Sequence, residues 1–420
     1  MITRRDLIRV VSRERRVADW VVIERAQEVH VVDQLRQVTR RETRSSFTVV
    51  LHVDSALGRG SARVTVDAGE STAAAVAGRA LSLATTAVGP GWRSVPPAAP
   101  AQVTVIDRDL PKDLGEAARA LVALGGDNVR VRAEVARESY AIQAKSGFHE
   151  EWLASQVRVD ALVSDGQRSL ELVREARRIS DLVDPEAMPA ALAAALADLA
   201  SLQTAQAAPS LGEPVDIVLG ADALLHDHAL GVWSVFAVQA DATLERKGLT
   251  RYREGAPIVP GAAQVAEPLT ITSDGSIDHA LRSSPVGEDG DAVRKFDLVE
   301  RGLSAGLALT MREAALRGRD PNGGIRNLVV APGTWDGTPV RRTIEIRRLR
   351  ALSVDPYTGD ASLEIALALD AGRPFSGGTI RLDLISALAR ARRRSADKPL
   401  RRGAYIGPPA VLIERVDLLA

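Results

Sequence analysis

Val129-Arg130-Val131-Arg132-Ala133-Glu134-Val135 decides the fold class of this chain. Apolar and charged residues alternate with a period of two, so an extended chain here has one apolar face and one charged face. That pattern belongs to a strand half-buried in a sheet, and strand character continues to about Val163. Working outward, Thr48 to Val53 and Arg63 to Asp67 are β-branched runs separated by Gly58-Arg59-Gly60, a hairpin-type connection. Ser71-Thr72 caps an Ala-rich helix that runs to about Val88. Val103 to Ile106 reads as a short buried strand, and Leu114 to Leu124 as a helix ended by Gly125-Gly126.

Toward the C-terminus, Ser169 to Val183 has apolar residues at 170, 172, 173, 176, 179 and 182, which predicts a helix. Asp184-Pro185 starts a second, Ala-rich helix. Ala207 to Pro214 has linker composition and predicts two domains, 1–208 and 209–420. Val215 to Gly220 reads as a strand, and roughly Ala221 to Thr243 as helical. Strand runs then dominate, at 269–272, 296–299, 327–330, 343–346, 362–365 and 379–382, with a helix at about Leu384 to Arg394. The expected class is α+β. An N-terminal α/β domain with a mixed or antiparallel sheet precedes a β-rich, barrel-like, antiparallel C-terminal domain.

Composition narrows the chemistry. The 420 residues carry 54 Lys+Arg against 54 Asp+Glu, so no global basic field is available to hold nucleic acid. There is no Cys, which excludes disulfides, thiol nucleophiles and Cys-ligated metals. Arg residues interrupt the N-terminus, so no signal peptide is read there. The most apolar stretch, Ala190 to Leu202, carries Asp198 and is far short of the ~20 residues of a membrane span. A cytoplasmic protein without membrane contact is expected.

The His cluster is Leu224-Leu225-His226-Asp227-His228-Ala229. On a helix, His226 and His228 point about 200° apart and cannot share a metal, whereas on a strand they lie on one face. Asp222 and His226 are spaced i,i+4 and could face each other, but two ligands do not make a site. His226 and His228 are the metal candidates of this cluster. Gly58-Arg59-Gly60, Asn322-Gly323-Gly324 and Gly377-Gly378 read as turns, because none opens a helix as a phosphate loop must. Ser283-Ser284-Pro285 reads as a polar loop. The basic cluster Arg390, Arg392, Arg393, Arg394, Lys398, Arg401 and Arg402 has no interleaved aromatic, so a helix terminus or subunit contact fits it better than nucleic acid.

Several segments resemble the TldD/PmbA family, within it the TldE (PmbA)-like branch. Ser284-Pro285-Val286-Gly287-Glu288-Asp289-Gly290, followed by Arg294 to Gly302, is similar to the family's loop before a strand. Asn327-Leu328-Val329-Val330-Ala331-Pro332-Gly333 is similar to a second family segment. Asp355-Pro356-Tyr357-Thr358-Gly359-Asp360-Ala361-Ser362 resembles a third, with Ala361 where Phe is usual. Gly58 to Ala62 and the helix after Ser71 resemble the family's N-terminal domain.

The resemblance implies relatives of zinc peptidases that carry a His-Glu-x-x-x-His helix and a later Cys ligand. In that family TldD-like and TldE-like chains pair as a heterodimer around a cavity and act on unfolded or ribosomally made peptides. The equivalent helix falls on Leu224 to Gly231, with His226 for the first ligand, Asp227 for the Glu and Gly231 at the second ligand position. A hydrolytic zinc needs about three protein ligands. The resemblance therefore implies no cofactor in this chain, zinc in a TldD-like catalytic partner, and a role here in shaping the chamber. The β-rich half could also hold a peptide by adding a strand to an edge. Two alternatives stand beside this reading. One is a self-sufficient metal-dependent peptidase using His226 and His228. The other is a peptide-binding regulatory scaffold, linked to DNA through the 390–402 cluster.

Overall fold

The structure is a computed structural model that describes residues 2–34, 38–94, 99–226, 230–339, 341–395 and 397–419. The alternating stretch lies in a strand of 16 residues, Val129–Ala144, paired antiparallel with His149–Ser164. Val129, Val131, Ala133 and Val135 are buried, and Arg132 pairs across the ladder with Asp160 at 3.2 Å. Seven strands form this sheet: β1 (Asp19–Asp33), β2 (Val38–Ser55), β3 (Gly58–Asp67), β4 (Val88–Gly89), β5 (Val129–Ala144), β6 (His149–Ser164) and β7 (Ser169–Ala176). Their order is β4-β3-β2-β1-β5-β6-β7, antiparallel throughout.

The two faces of this sheet differ because side chains alternate. One face buries Val22, Val49, Val131 and Val157 beneath four helices, Arg4–Arg13, Ala73–Thr86, Leu114–Val122 and Met188–Thr204. Three of these start at capping side chains: Thr3, Thr72 and Asp113 accept backbone N–H groups of Asp6, Ala75 and Gly115. Gly60 on β3 is needed for the helix to sit down, since a Cβ there would lie 1.7 Å from the Ala84 carbonyl oxygen. The opposite face presents Ile23, Thr48, Tyr140, Ile142 and Trp152 to the second half of the chain.

That half contains a six-stranded and a nine-stranded sheet. Both are mixed: Asn327–Val330 runs parallel to Tyr405–Gly407, and Val215–Gly220 parallel to Thr343–Val354. The α+β class holds, and among the described residues no sheet closes into a barrel. The expected strands at 296–299, 327–330, 343–346, 362–365 and 379–382 are all present. Trp233 is fully buried in the core of this half, stacked on Tyr405 at 6.1 Å. Among the described residues no helix is long and apolar enough to cross a membrane.

Three sequence expectations change. Ser169 to Val183 is not one helix: Ser169–Ala176 is β7, and only Ser180–Val183 is helical. Leu170 and Leu172 satisfy a period of two as well as 3.6, and the exposed edge of β6 decides between them. Val103 to Ile106 joins no named strand. Only Val105 is buried, and the segment is tied to the second half, where the Thr104 N–H donates to Asp278 and the His279 N–H to the Thr104 carbonyl. Ala221 to Thr243 is broken into Ala221–Leu224, a single 3₁₀ turn at Gly231–Trp233, and Ser234–Gln239.

The halves are joined by buried charge. Asp198, the acid within the apolar helix, accepts from Arg348 at 2.7 Å and from Arg347 at 3.2 Å. Arg348 also reaches Asp222 at 2.9 Å, and Arg174 of β7 reaches the same carboxylate at 2.9 Å. Four members of the basic cluster near the C-terminus are spent within the fold. Buried Arg393 donates to the carbonyls of Ala331, Glu267 and Pro268, Arg390 to that of Pro260, and Arg401 to that of Asp278. Arg402 donates to Asp222. These contacts remove much of the basic surface on which a DNA reading would rest.

Candidate functional site

His226 follows the short helix Ala221–Leu224 and lines a cavity of about 510 Å³. Gly231, Ser234, Asp241 and Arg282 line the same cavity. Asp227 and His228, the other sequence candidates, lie outside the described residues. Asp222 does not face His226 as an i,i+4 partner, because the helix ends before His226 and the carboxylate is enclosed by three guanidiniums. Burial alone would raise the Asp222 pKa, but Arg402, Arg348 and Arg174 outweigh it and hold the carboxyl at about 2. Asp241 is likewise committed, accepting the N–H groups of Thr243 and Leu244 at 2.8 and 2.9 Å as a helix cap.

Gly231 is held tightly. Its φ is +53°, and a Cβ there would lie 1.8 Å from the Leu224 carbonyl oxygen and 2.6 Å from the Leu225 Cα. No L side chain fits without moving the backbone. Among the described residues no three His, Asp or Glu side chains converge as a metal site.

A second cavity of about 560 Å³ adjoins the first, sharing Arg282 and Ile325. Its floor is the open face of the seven-stranded sheet, and its roof is the loop from Arg282 to Glu288. Tyr140 and Trp152 stack at 5.0 Å on the floor, and the Tyr140 hydroxyl donates to Glu138 at 2.6 Å. Burial, with Glu138 beside it, pushes the Tyr140 hydroxyl pKa up, so it stays protonated. Arg63 of β3 tethers the roof through Asp289 at 2.7 Å. Asp291, just beyond, is buried, and burial with nearby Asp289 raises its pKa to about 6 against the pull of Arg326. Ser283 is buried and bonded to the Ile277 carbonyl and Asn327, so its hydroxyl is structural.

The fold and these cavities can now be set beside known proteins. Residues 224–419 match the family profile described as the PmbA/TldA metallopeptidase C-terminal domain. Residues 224–419 therefore carry the C-terminal domain of the PmbA/TldA family. Its fold is shared with TldE from Thermococcus kodakarensis, at TM-score 0.71 and 16% identity over 99% of both chains. It is shared also with a proposed modulator of DNA gyrase from Bacteroides thetaiotaomicron, at TM-score 0.75 and 14% identity over 99% of this chain and 97% of the other. A similar proposed gyrase modulator from Thermotoga maritima gives TM-score 0.72 and 17% identity over 95% of each chain. No curated protein matches the chain.

The zinc of peptidases in the TldD/PmbA family does not fit the residues described here. Under the resemblance drawn from the sequence, the second His of such a site falls on Gly231, where the backbone leaves no room for a side chain, and the chain has no Cys. What the site offers is two joined cavities, an aromatic floor and several guanidiniums, which can hold a ligand.

The arginines of the second cavity were missed by sequence reasoning. Arg25, Arg177, Arg282 and Arg326 come from β1, the end of β7 and two loops of the second half. No local motif marks residues that meet only through the tertiary fold.

Proposed function

We propose that this chain is a non-catalytic, TldE-like subunit of a heterodimeric TldD/TldE-type zinc metallopeptidase acting on unfolded or ribosomally made peptides. Zinc belongs to the TldD-like partner, and this chain, of domains 1–208 and 209–420, shapes the cytoplasmic chamber and holds substrate. The observation that carries the reading is Gly231, at the second ligand position and closed to any side chain by the Leu224 carbonyl. A lost ligand on a backbone that accepts a side chain can be regained by one substitution. Here the backbone has settled into a conformation only glycine adopts readily.

The adjoining cavities, with apolar and aromatic walls at the junction of the two halves, support the peptide-holding part of the reading. A self-sufficient peptidase built on His226 and His228 has less support, because Asp222 and Asp241 are both occupied elsewhere. The test is sedimentation of the purified chain with a TldD-like chain carrying an intact His-Glu-x-x-x-His. A stable mixed complex is expected. Two separately sedimenting species at micromolar concentration would count against the subunit role.

A further inference from the structure

The cavity on the open sheet face holds guanidinium groups that form no ion pair within the described residues. Arg25 is paired with Glu138, and Arg63 with Asp289. Arg177, Arg282 and Arg326 line the same cavity, yet among the described residues none has a carboxylate within ion-pair distance. Arg177 is fixed by carbonyls alone, donating to Ser155 at 2.9 Å and Leu281 at 2.8 Å. Arg326 donates its Nε to the Gly323 carbonyl at 2.9 Å, and its Nη2 has no partner. The Arg282 guanidinium makes no hydrogen bond within the described residues and stands where the two cavities meet.

Desolvation lowers the pKa of all three, and Arg326 lowers that of Arg282 further, against the weaker pull of Glu138 on Arg177, Glu175 on Arg282, and Asp291 and Glu288 on Arg326. Half-buried cations held without an ion pair are offset where an anionic ligand meets them. Guanidiniums suit planar, bidentate acceptors. The surroundings narrow the choice. Ile23, Ile142 and Ile325, with the Tyr140–Trp152 stack, give apolar walls that fit peptide side chains. Glu288 also lines the cavity and disfavours a dianion more than a monoanion.

We propose that Arg177, Arg282 and Arg326 form a carboxylate-binding subsite for a peptide, taking its C-terminal carboxylate or a Glu or Asp side chain. This deepens the peptide-holding role proposed above and rests on it for the choice of ligand. The subsite anchors one end or one acidic residue of the substrate, and the neighbouring cavity at His226 takes the segment next to it.

The test uses the full chain alone and fluorescence anisotropy with three labelled tripeptides of alanine and leucine. One ends in a free carboxylate, one is the C-terminal amide, and one is an amide with a glutamate in the middle. At least one carboxylate-bearing peptide should bind ten-fold or more tightly than the neutral amide, and which one does so separates the two sources. Arg282→Gln should abolish that preference without moving the unfolding midpoint, because the side chain supports no other group. Arg326→Gln should weaken it too, and its midpoint reports the lost Gly323 contact separately.

Equal binding of all three peptides, no binding at all, or a preference that survives Arg282→Gln overturns the proposal. So does displacement of the peptide by inorganic phosphate at lower concentration than by acetate, which would make the site a phosphate site. No partner is present in this assay. Failure to reconstitute a peptidase would therefore count against the subunit reading and leave the subsite standing.

Discussion

Replacing Gly231 by His would restore the letter of a zinc motif and should fail to restore the site. The left-handed backbone at φ +53° costs an ordinary residue about 1–2 kcal/mol. The Cβ would lie 1.8 Å from the Leu224 carbonyl oxygen, so the end of the helix Ala221–Leu224 must move, and such overpacking costs about 1–3 kcal/mol or more. A loss of roughly 2–5 kcal/mol is a large share of the 5–15 kcal/mol that holds a typical domain together. For a unit of about 200 residues it lowers the melting temperature by about 4–20 °C. Gly231→Ala should show nearly the same loss, since the first side-chain atom makes the clash. Denaturant unfolding measures the loss, and zinc is counted by elemental analysis after gel filtration. A Gly231→His chain that melts with the wild type and keeps one zinc, lost again on His226→Ala, would refute the reasoning.

Two further predictions concern buried carboxylates. Asp222→Asn leaves Arg174, Arg348 and Arg402 partly uncompensated and should destabilise the chain by about 3–5 kcal/mol, read by urea unfolding at pH 7. The Asp222 pKa is depressed to about 2, so its contribution is full above about pH 4 and lost as pH falls toward 2. The variant should show a correspondingly shallower acid transition. Asp291 has the opposite sign. Its folded pKa of about 6 lies above the unfolded 3.8, so the fold favours the protonated form and stability falls as pH rises from about 4 to above 6. Asp291→Asn should therefore be more stable than wild type at pH 8, by up to about 3 kcal/mol, and no more stable at pH 4. An unfolding midpoint for the variant that tracks wild type from pH 4 to 8 would contradict this.

The sheets were legible where one face is apolar and the other is not. The alternation at Val129–Val135 gave its strand and its buried side, and the β-branched runs of the second half gave five more strands at the expected places. The pattern failed where two periods fit the same residues, as at Ser169–Ala176, which became a strand because β6 needed a partner. It failed also at 221–243, where apolar content is high but Gly231 turns the chain through a left-handed conformation. β1 sits at the centre of its sheet although Glu24, Arg25, Gln27 and Glu28 interrupt its apolar run. Of the site, sequence singled out His226 and Gly231, which lie in one short segment and line the first cavity. It could not reach Arg177, Arg282 and Arg326, or the clasp of Asp198, Arg348 and Asp222, whose members lie far apart in the chain. Asp198 left one trace, a lone acid within an apolar helix.

The central claim is that this chain supports peptide cleavage without performing it. The most direct measurement is the cleavage rate of an unstructured peptide by this chain alone, by a TldD-like chain alone, and by their mixture, each with and without a chelator. The account predicts negligible cleavage by this chain, chelator-sensitive cleavage by the mixture above that of the partner, and no change when His226 of this chain is replaced by Ala. Chelator-sensitive cleavage by this chain alone, abolished by His226→Ala, would contradict it.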